Sequence, residues 1–179
     1  GHPVFLHPAR NSAVMAEVEA LSMSLKKLGL YAPSTRLASL KEPSLEGVKG
    51  GDEALKRLLD GDLRKYGEGG LPERLAESDA VRGPVMLQVN RVVNASEPSI
   101  NQHGGLGGGG RPKLIALHLT DGKRDALAVE YAPIPKLGGM DCRPGTKVRV
   151  VNARVVAGVL LLDGASCSVV GGNVAAMVE

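Results

Sequence analysis

The chain has 179 residues, 43% of them hydrophobic but only 2% aromatic, which allows one domain and a small appendage built on an aliphatic core. Its net charge of +3 is uneven: residues 1–79 carry 11 Lys+Arg against 12 Asp+Glu, residues 80–179 carry 11 against 7. An excess of four cations fits a solvated surface and does not define a polyanion binder. No run reaches the roughly 18 apolar residues of a membrane span, and Cys142 and Cys167 lack metal-ligand spacing, which fits a reducing compartment.

Residues 1–14 show neither helical nor strand periodicity and are set aside as a disordered or cloning-derived leader. Val14, Val18, Leu21, Leu25 and Leu28 then recur at helical spacing, and Gly29 suits the end of that helix. Leu37 and Leu40 come after Pro33-Ser34 in a short second helix. Asp52 is the expected N-cap of a third, with Leu55, Leu58, Leu59 and Leu63 on its buried side. Residues 15–72 thus read as a small helical bundle, too short for a large core of its own and expected to pack on the second half of the chain.

From Pro84 the periodicity changes to two. Val85, Leu87 and Val89 open a first strand reaching about Asn94, and residues 96–112 form a loop with six glycines in Gly104–Gly110. Ile115, Leu117 and Leu119 mark a second strand, Asp121-Gly122 a tight turn, and Leu127, Val129 and Tyr131 the expected inward face of a third. Val148 and Val150 mark the fourth, Val159–Leu162 the fifth with Val169-Val170 continuing it, and Asn173 the cap of a terminal helix. The fold class is α+β: a helical bundle, then over residues 80–179 a five-stranded barrel of the oligonucleotide/oligosaccharide-binding (OB) type with a C-terminal helix. A five-stranded SH3-like barrel competes, but the longer strands and terminal helix favour the OB type.

No catalytic constellation emerges. The glycine run formally matches a dinucleotide fingerprint, but Arg111-Pro112 leads into a strand, so no helix N-terminus awaits a pyrophosphate. His118 has no nucleophile or carboxylate near it in sequence, Asp121 is explained by its turn, and Asp60 and Asp62 read as solvated. His2, His7 and His103 lie in loops, which disfavours zinc. Single-strand-binding barrels use aromatic platforms beside a basic groove; here Tyr131 is the one aromatic on the relevant strands, with inward parity. Lys147 and Arg149 share one face of the fourth strand and are the possible nucleic-acid contacts. Without stacking, worth roughly 1–3 kcal/mol per base, they would bind weakly and salt-sensitively. The barrel therefore reads as a protein binder, with a stand-alone single-stranded DNA or RNA binder as the alternative.

The order Leu119-Thr120-Asp121-Gly122, Ala128-Val129-Glu130-Tyr131 with Pro133-Ile134-Pro135, Pro144-Gly145-Thr146-Lys147, Gly158-Val159-Leu160-Leu161-Leu162 and Val170-Gly171-Gly172 resembles the N-terminal region of the RecQ-mediated genome instability (RMI) family. It is equally similar to the tudor-domain-containing topoisomerase partner that shares this region. Asp62-Leu63-Arg64, Leu71-Pro72 and Leu87-Gln88-Val89 extend the likeness upstream. The resemblance implies a non-catalytic accessory subunit of type IA topoisomerase III, a role in decatenation, junction dissolution and genome stability, and a link to a RecQ helicase complex. It implies nucleic acid reached through the topoisomerase, neither cofactor nor metal, no membrane, and a nuclear as well as cytoplasmic location. By the same resemblance Leu119, Thr120, Asp121 and Lys147 bind the partner, while a gate loop including Ser96, Pro98, Asn101, Gln102, Gly107 and Arg111 tunes strand passage. The short glycine-rich loop is nearer the tudor branch, the Pro-Ile-Pro run leans to the RMI branch, and Asn173 stands where the family usually has an acidic residue.

Overall fold

A computed structural model describes residues 8–95, 114–137 and 142–177, so the whole gate-loop segment falls outside the described residues. The order is α1 (Pro8–Lys27), α2 (Ser34–Ser39), α3 (Gly51–Leu58), α4 (Leu63–Tyr66), β1 (Ala80–Val81), β2 (Val85–Asn94), β3 (Ile115–Thr120), β4 (Asp125–Glu130), β5 (Lys147–Val150), β6 (Ala153–Val156), β7 (Val159–Leu162) and β8 (Cys167–Gly171). Short 3-10 turns cover Leu75–Glu77 and Ala175–Met177.

The α1 helix begins at Pro8, inside the stretch set aside as a leader. Along it Val14 and Met15 are exposed, whereas Leu21 and Leu25 are buried. Gly29, at φ +97°, ends the helix; Leu30 N–H donates to the Leu25 carbonyl and Gly29 N–H to that of Lys26, the double bond of a left-handed helix stop. The N-cap of α3 is Gly50, with Asp52 inside the first turn. Leu21, Leu25, Leu30, Leu37, Ala54, Leu58, Leu63 and Tyr66 form a helical core that Met86 of β2 completes.

The strands form one curled sheet in the order β1-β6-β7-β4-β3-β2-β5-β8, with β4 and β7 parallel and every other pair antiparallel. Among the described residues eight strands stand where five were expected. The expected fourth strand is β5, and past Val151-Asn152 comes a strand that was not expected, β6; Asn152 (φ +51°) turns the chain there in a conformation Asn tolerates better than most residues. Two residues join strands five places apart in the sheet order, so the sheet must curl back on itself. The expected fifth strand is two strands, β7 and β8, separated by a turn at Asp163, whose carboxylate accepts the Ala165 and Ser166 N–H groups. Among the described residues the terminal helix is the 3-10 turn Ala175–Met177.

The core inside the curled sheet is aliphatic: Val85, Leu87, Val89, Leu117, Leu119, Ala126, Ala128, Val148, Val150, Val155, Leu160 and Leu162. The expected inward face of the third strand is corrected. Ala126 and Ala128 point in, while Leu127 is 40% and Tyr131 69% exposed and Val129 is half-buried. Registers Leu119↔Ala126 and Leu117↔Ala128 decide this, because cross-strand partners share a face.

Glycines let the two parts approach. At Gly172 (φ +96°) an added Cβ would strike the Leu59 carbonyl, whereas neighbouring Gly171 (φ +115°) faces open space. We predict that Gly171→Ala costs about 1 kcal/mol of stability from backbone strain alone, and Gly172→Ala at least about 2 kcal/mol more, read by urea denaturation.

Candidate interaction surface

The residues expected to meet a partner are buried inside the chain. Leu119 is 0%, Thr120 2%, Asp121 1% and Lys147 1% exposed. The Asp121 carboxylate accepts the N–H groups of Lys123 (2.8 Å) and Arg124 (2.6 Å) through one oxygen and that of Leu71 (3.0 Å) through the other. It thereby ties the β3–β4 turn to the segment leaving α4. The Thr120 hydroxyl donates to the Arg124 carbonyl and accepts from Gly122 N–H within the same turn.

Lys147 reaches across the same junction, its Nζ donating to the carbonyls of Gly61 (2.6 Å) and Gly145 (2.9 Å). Burial pushes this ammonium down from 10.5 to about 8, against the upward pull of Asp62 and Asp60. Lys147 and Arg149 do share a face of β5, but the helices cover it at Lys147 and leave Arg149 exposed. Lys147 therefore offers no surface contact to nucleic acid.

Gln88 completes the junction. Its Oε1 accepts the Leu63 N–H at 2.8 Å, and its Nε2 donates to Asp62 at 3.0 Å. Asp62 also caps α4 at Arg64 N–H and pairs with the Arg64 guanidinium. Burial pushes its carboxyl up, but the hydrogen bonds from Arg64 and Gln88, with the Arg64 charge, outweigh this and hold it at about 2. Asp60, read as solvated, accepts the Asn173 N–H at 2.9 Å.

What the chain does expose is the opposite outer face of the sheet. Pairing aligns Arg91, His118, Leu127, Val159 and Val156 in one row across β2-β3-β4-β7-β6, and Val93, Ala116, Val129, Leu161 and Arg154 in the next. Leu127 and Val156 (49%) are exposed, and Leu114 (45%) and Tyr131 sit at the margins. Beside them a groove of about 430 Å³ is lined by Tyr131, Asn152, Arg154, Leu161 and Asp163 among others. Leu127, half-buried Val159 and Val156 adjoin one another across β4, β7 and β6, which makes this strip the candidate interaction surface.

The sequence reading missed this face by inverting one strand. The hairpin held the signal: a loop of two or of four residues after Thr120 sets Ala126 and Ala128 on the side of Leu117 and Leu119. Among the described residues no group of His, Cys, Asp and Glu could hold a metal. Burial pushes the Cys142 thiol up to about 11 and that of Cys167 to about 12, which leaves both poor nucleophiles at neutral pH.

Fold and surface together define a helical unit fused to an OB-fold domain that presents an apolar sheet face. Residues 110–179 match the family model described as the N-terminal OB-fold domain of RMI1. The chain is 27% identical to Tudor domain-containing protein 3 of Danio rerio over 162 residues, covering 89% of this chain and 21% of that protein. It is 32% identical over 124 residues to the protein of that name from Xenopus tropicalis, covering 68% and 17%. With RecQ-mediated genome instability protein 1 of Danio rerio it shares 30% over 148 residues, covering 70% and 28%. The chain thus spans between about a sixth and somewhat over a quarter of these relatives' lengths. The resemblance to the RMI N-terminal OB-fold family drawn from the ordered signatures is shown, with homologues under both names.

The depressed Lys147 value has a measurable consequence. Between about pH 8 and 10.5 the unfolded chain holds a proton at this position that the folded chain has released, so the Lys147 contribution to stability rises with pH across that window. We predict that the stability of the native chain minus that of Lys147→Met increases from pH 7.5 to pH 10 in parallel denaturant titrations. The comparison cancels the titration of Tyr66 and the two cysteines.

Proposed function

We propose that this chain is a non-catalytic scaffold for genome stability that binds type IA topoisomerase III, within a RecQ helicase assembly, through the outer face of its OB-fold sheet. The observation that carries the reading is the apolar sheet face on a domain of the RMI1 N-terminal OB-fold type. Leu119, Thr120, Asp121 and Lys147 support binding indirectly, by fixing how the helical unit sits on the sheet. Nucleic acid is reached through the enzyme, and the site of action is nuclear, with a cytoplasmic fraction.

The segment 96–112 joins β2 to β3, and at its root Ala95 N–H donates to the Leu114 carbonyl at 2.7 Å. The reading gives it, with Ser96, Pro98, Asn101, Gln102, Gly107 and Arg111, the task of tuning strand passage.

One observation favours the alternative of direct single-strand binding: Tyr131 is exposed beside Arg154. A single platform contributes about 1–3 kcal/mol per stacked base, which gives weak affinity by itself.

The expected outcome is that the purified chain co-purifies with its own organism's topoisomerase III. Deleting Gly104–Gly110 alters decatenation more than it alters binding. Failure of the folded chain to bind that enzyme contradicts the reading, and unchanged decatenation contradicts the role of the loop. Submicromolar, Tyr131-dependent binding to an oligonucleotide at physiological salt would favour the alternative.

A further inference from the structure

We infer that the outer face of β2, β3, β4, β7 and β6 docks a protein surface with an apolar centre and a carboxylate toward each end. This rests on the topoisomerase reading and adds the chemistry by which the enzyme would be recognised.

The centres of both rows are uncharged and mostly apolar: Leu127 and Val159 in one, Ala116, Val129 and Leu161 in the other. The guanidiniums stand at opposite corners, Arg91 at the β2 end of the first row and Arg154 at the β6 end of the second. Four interstrand spacings separate those strands, at most about 19 Å along the sheet. Arg36, Arg57, Arg64, Arg74, Arg82 and Arg124 form ion pairs at or within 3.8 Å of a carboxylate or hold backbone carbonyls, while Arg149, outside this face on β5, is exposed without such a partner among the described residues. Arg91 and Arg154 do neither among the described residues, so their charges are available to a partner.

Each class of occupant meets this pattern differently. A polyanionic strand would lay phosphates over an apolar centre that cannot solvate them. A second copy of the chain, related by a two-fold axis, would set cations against the cations of the facing copy. An apolar surface with acidic ends desolvates Leu127 and Val129 while its carboxylates meet Arg91 and Arg154, which is the complementary case.

The test is the affinity of the whole chain for its organism's topoisomerase III. Leu127→Asp, and separately the double variant Arg91→Glu with Arg154→Glu, should each weaken binding by about tenfold or more, and the double variant should flatten its salt dependence. Met23→Glu, at a residue 65% exposed on α1, should bind as the native chain does. Every substituted side chain lies at the surface or at a row end, and circular dichroism with thermal melting checks that each variant is folded.

If the native chain binds and both face variants bind within about twofold of it, the inference fails while the functional reading stands. If the native chain does not bind, the functional reading fails and takes the inference with it. A native homodimer dissociated by Leu127→Asp, or oligonucleotide binding lost in the double variant, would reassign the face and overturn the inference.

Discussion

The burial of both faces of one end of β2 is the constraint on which the rest of the molecule depends. Val85, Leu87 and Val89 point into the barrel, while Met86 and Gln88 point outward into the helical unit. A strand buried on two sides leaves backbone and side-chain polar groups that water cannot reach, so each needs a partner within the chain. Gln88, Lys147, Asp121 and Asp62 supply those partners, and no buried side-chain nitrogen or oxygen is left without one among the described residues. The ammonium of Lys147 is the most exposed to risk in this arrangement, because it meets carbonyl dipoles and more distant carboxylates instead of a direct counter-ion.

That junction also allocates the surface. By covering the outer side of β2 at Met86 and Gln88, of β5 at Lys147, and the β3–β4 turn at Thr120 and Asp121, the helices withdraw these residues from solvent and leave the outer face beyond them bare. The close approach depends on backbone as much as on side chains: an added Cβ at Gly122 would sit 2.6 Å from the Gly67 carbonyl oxygen, and Gly172 lies against Leu59. The short signatures that run through the second half of the chain are in large part this joint. Asp121-Gly122, Gly145-Thr146-Lys147 and Gly171-Gly172-Asn173 hold the helical unit in place. The residues left on the free face carry no motif: they are an alternating set of Leu, Val and Arg.

The same division explains what could be read from the sequence. The four aliphatic helix positions Leu21, Leu25, Leu37 and Leu58, the glycine stop at Gly29 and the strand cores at Leu117, Leu119, Val148 and Val150 obey local periodicity and were legible. Local periodicity does not report tertiary cover, so Lys147 and Asp121 read as surface residues although the helices bury them. In β4 both alternating sets are apolar, Ala126 and Ala128 against Leu127 and Val129. Size favoured the wrong set: the curled sheet takes the small residues inside and leaves the large ones on its outer face. The strand β6, set between the positive-φ residues Asn152 and Ala157, went unread in the gap between the expected fourth and fifth strands.

Hydroxyl-radical footprinting of the chain with and without its organism's topoisomerase III gives the sharpest test of docking through the sheet face, because it reads side-chain exposure residue by residue. Leu127, Tyr131 and Val156 should become protected in the complex while Met23 does not. Docking through this face is contradicted if those three keep their reactivity and protection falls instead on the helical unit or on the Lys123-Arg124 turn.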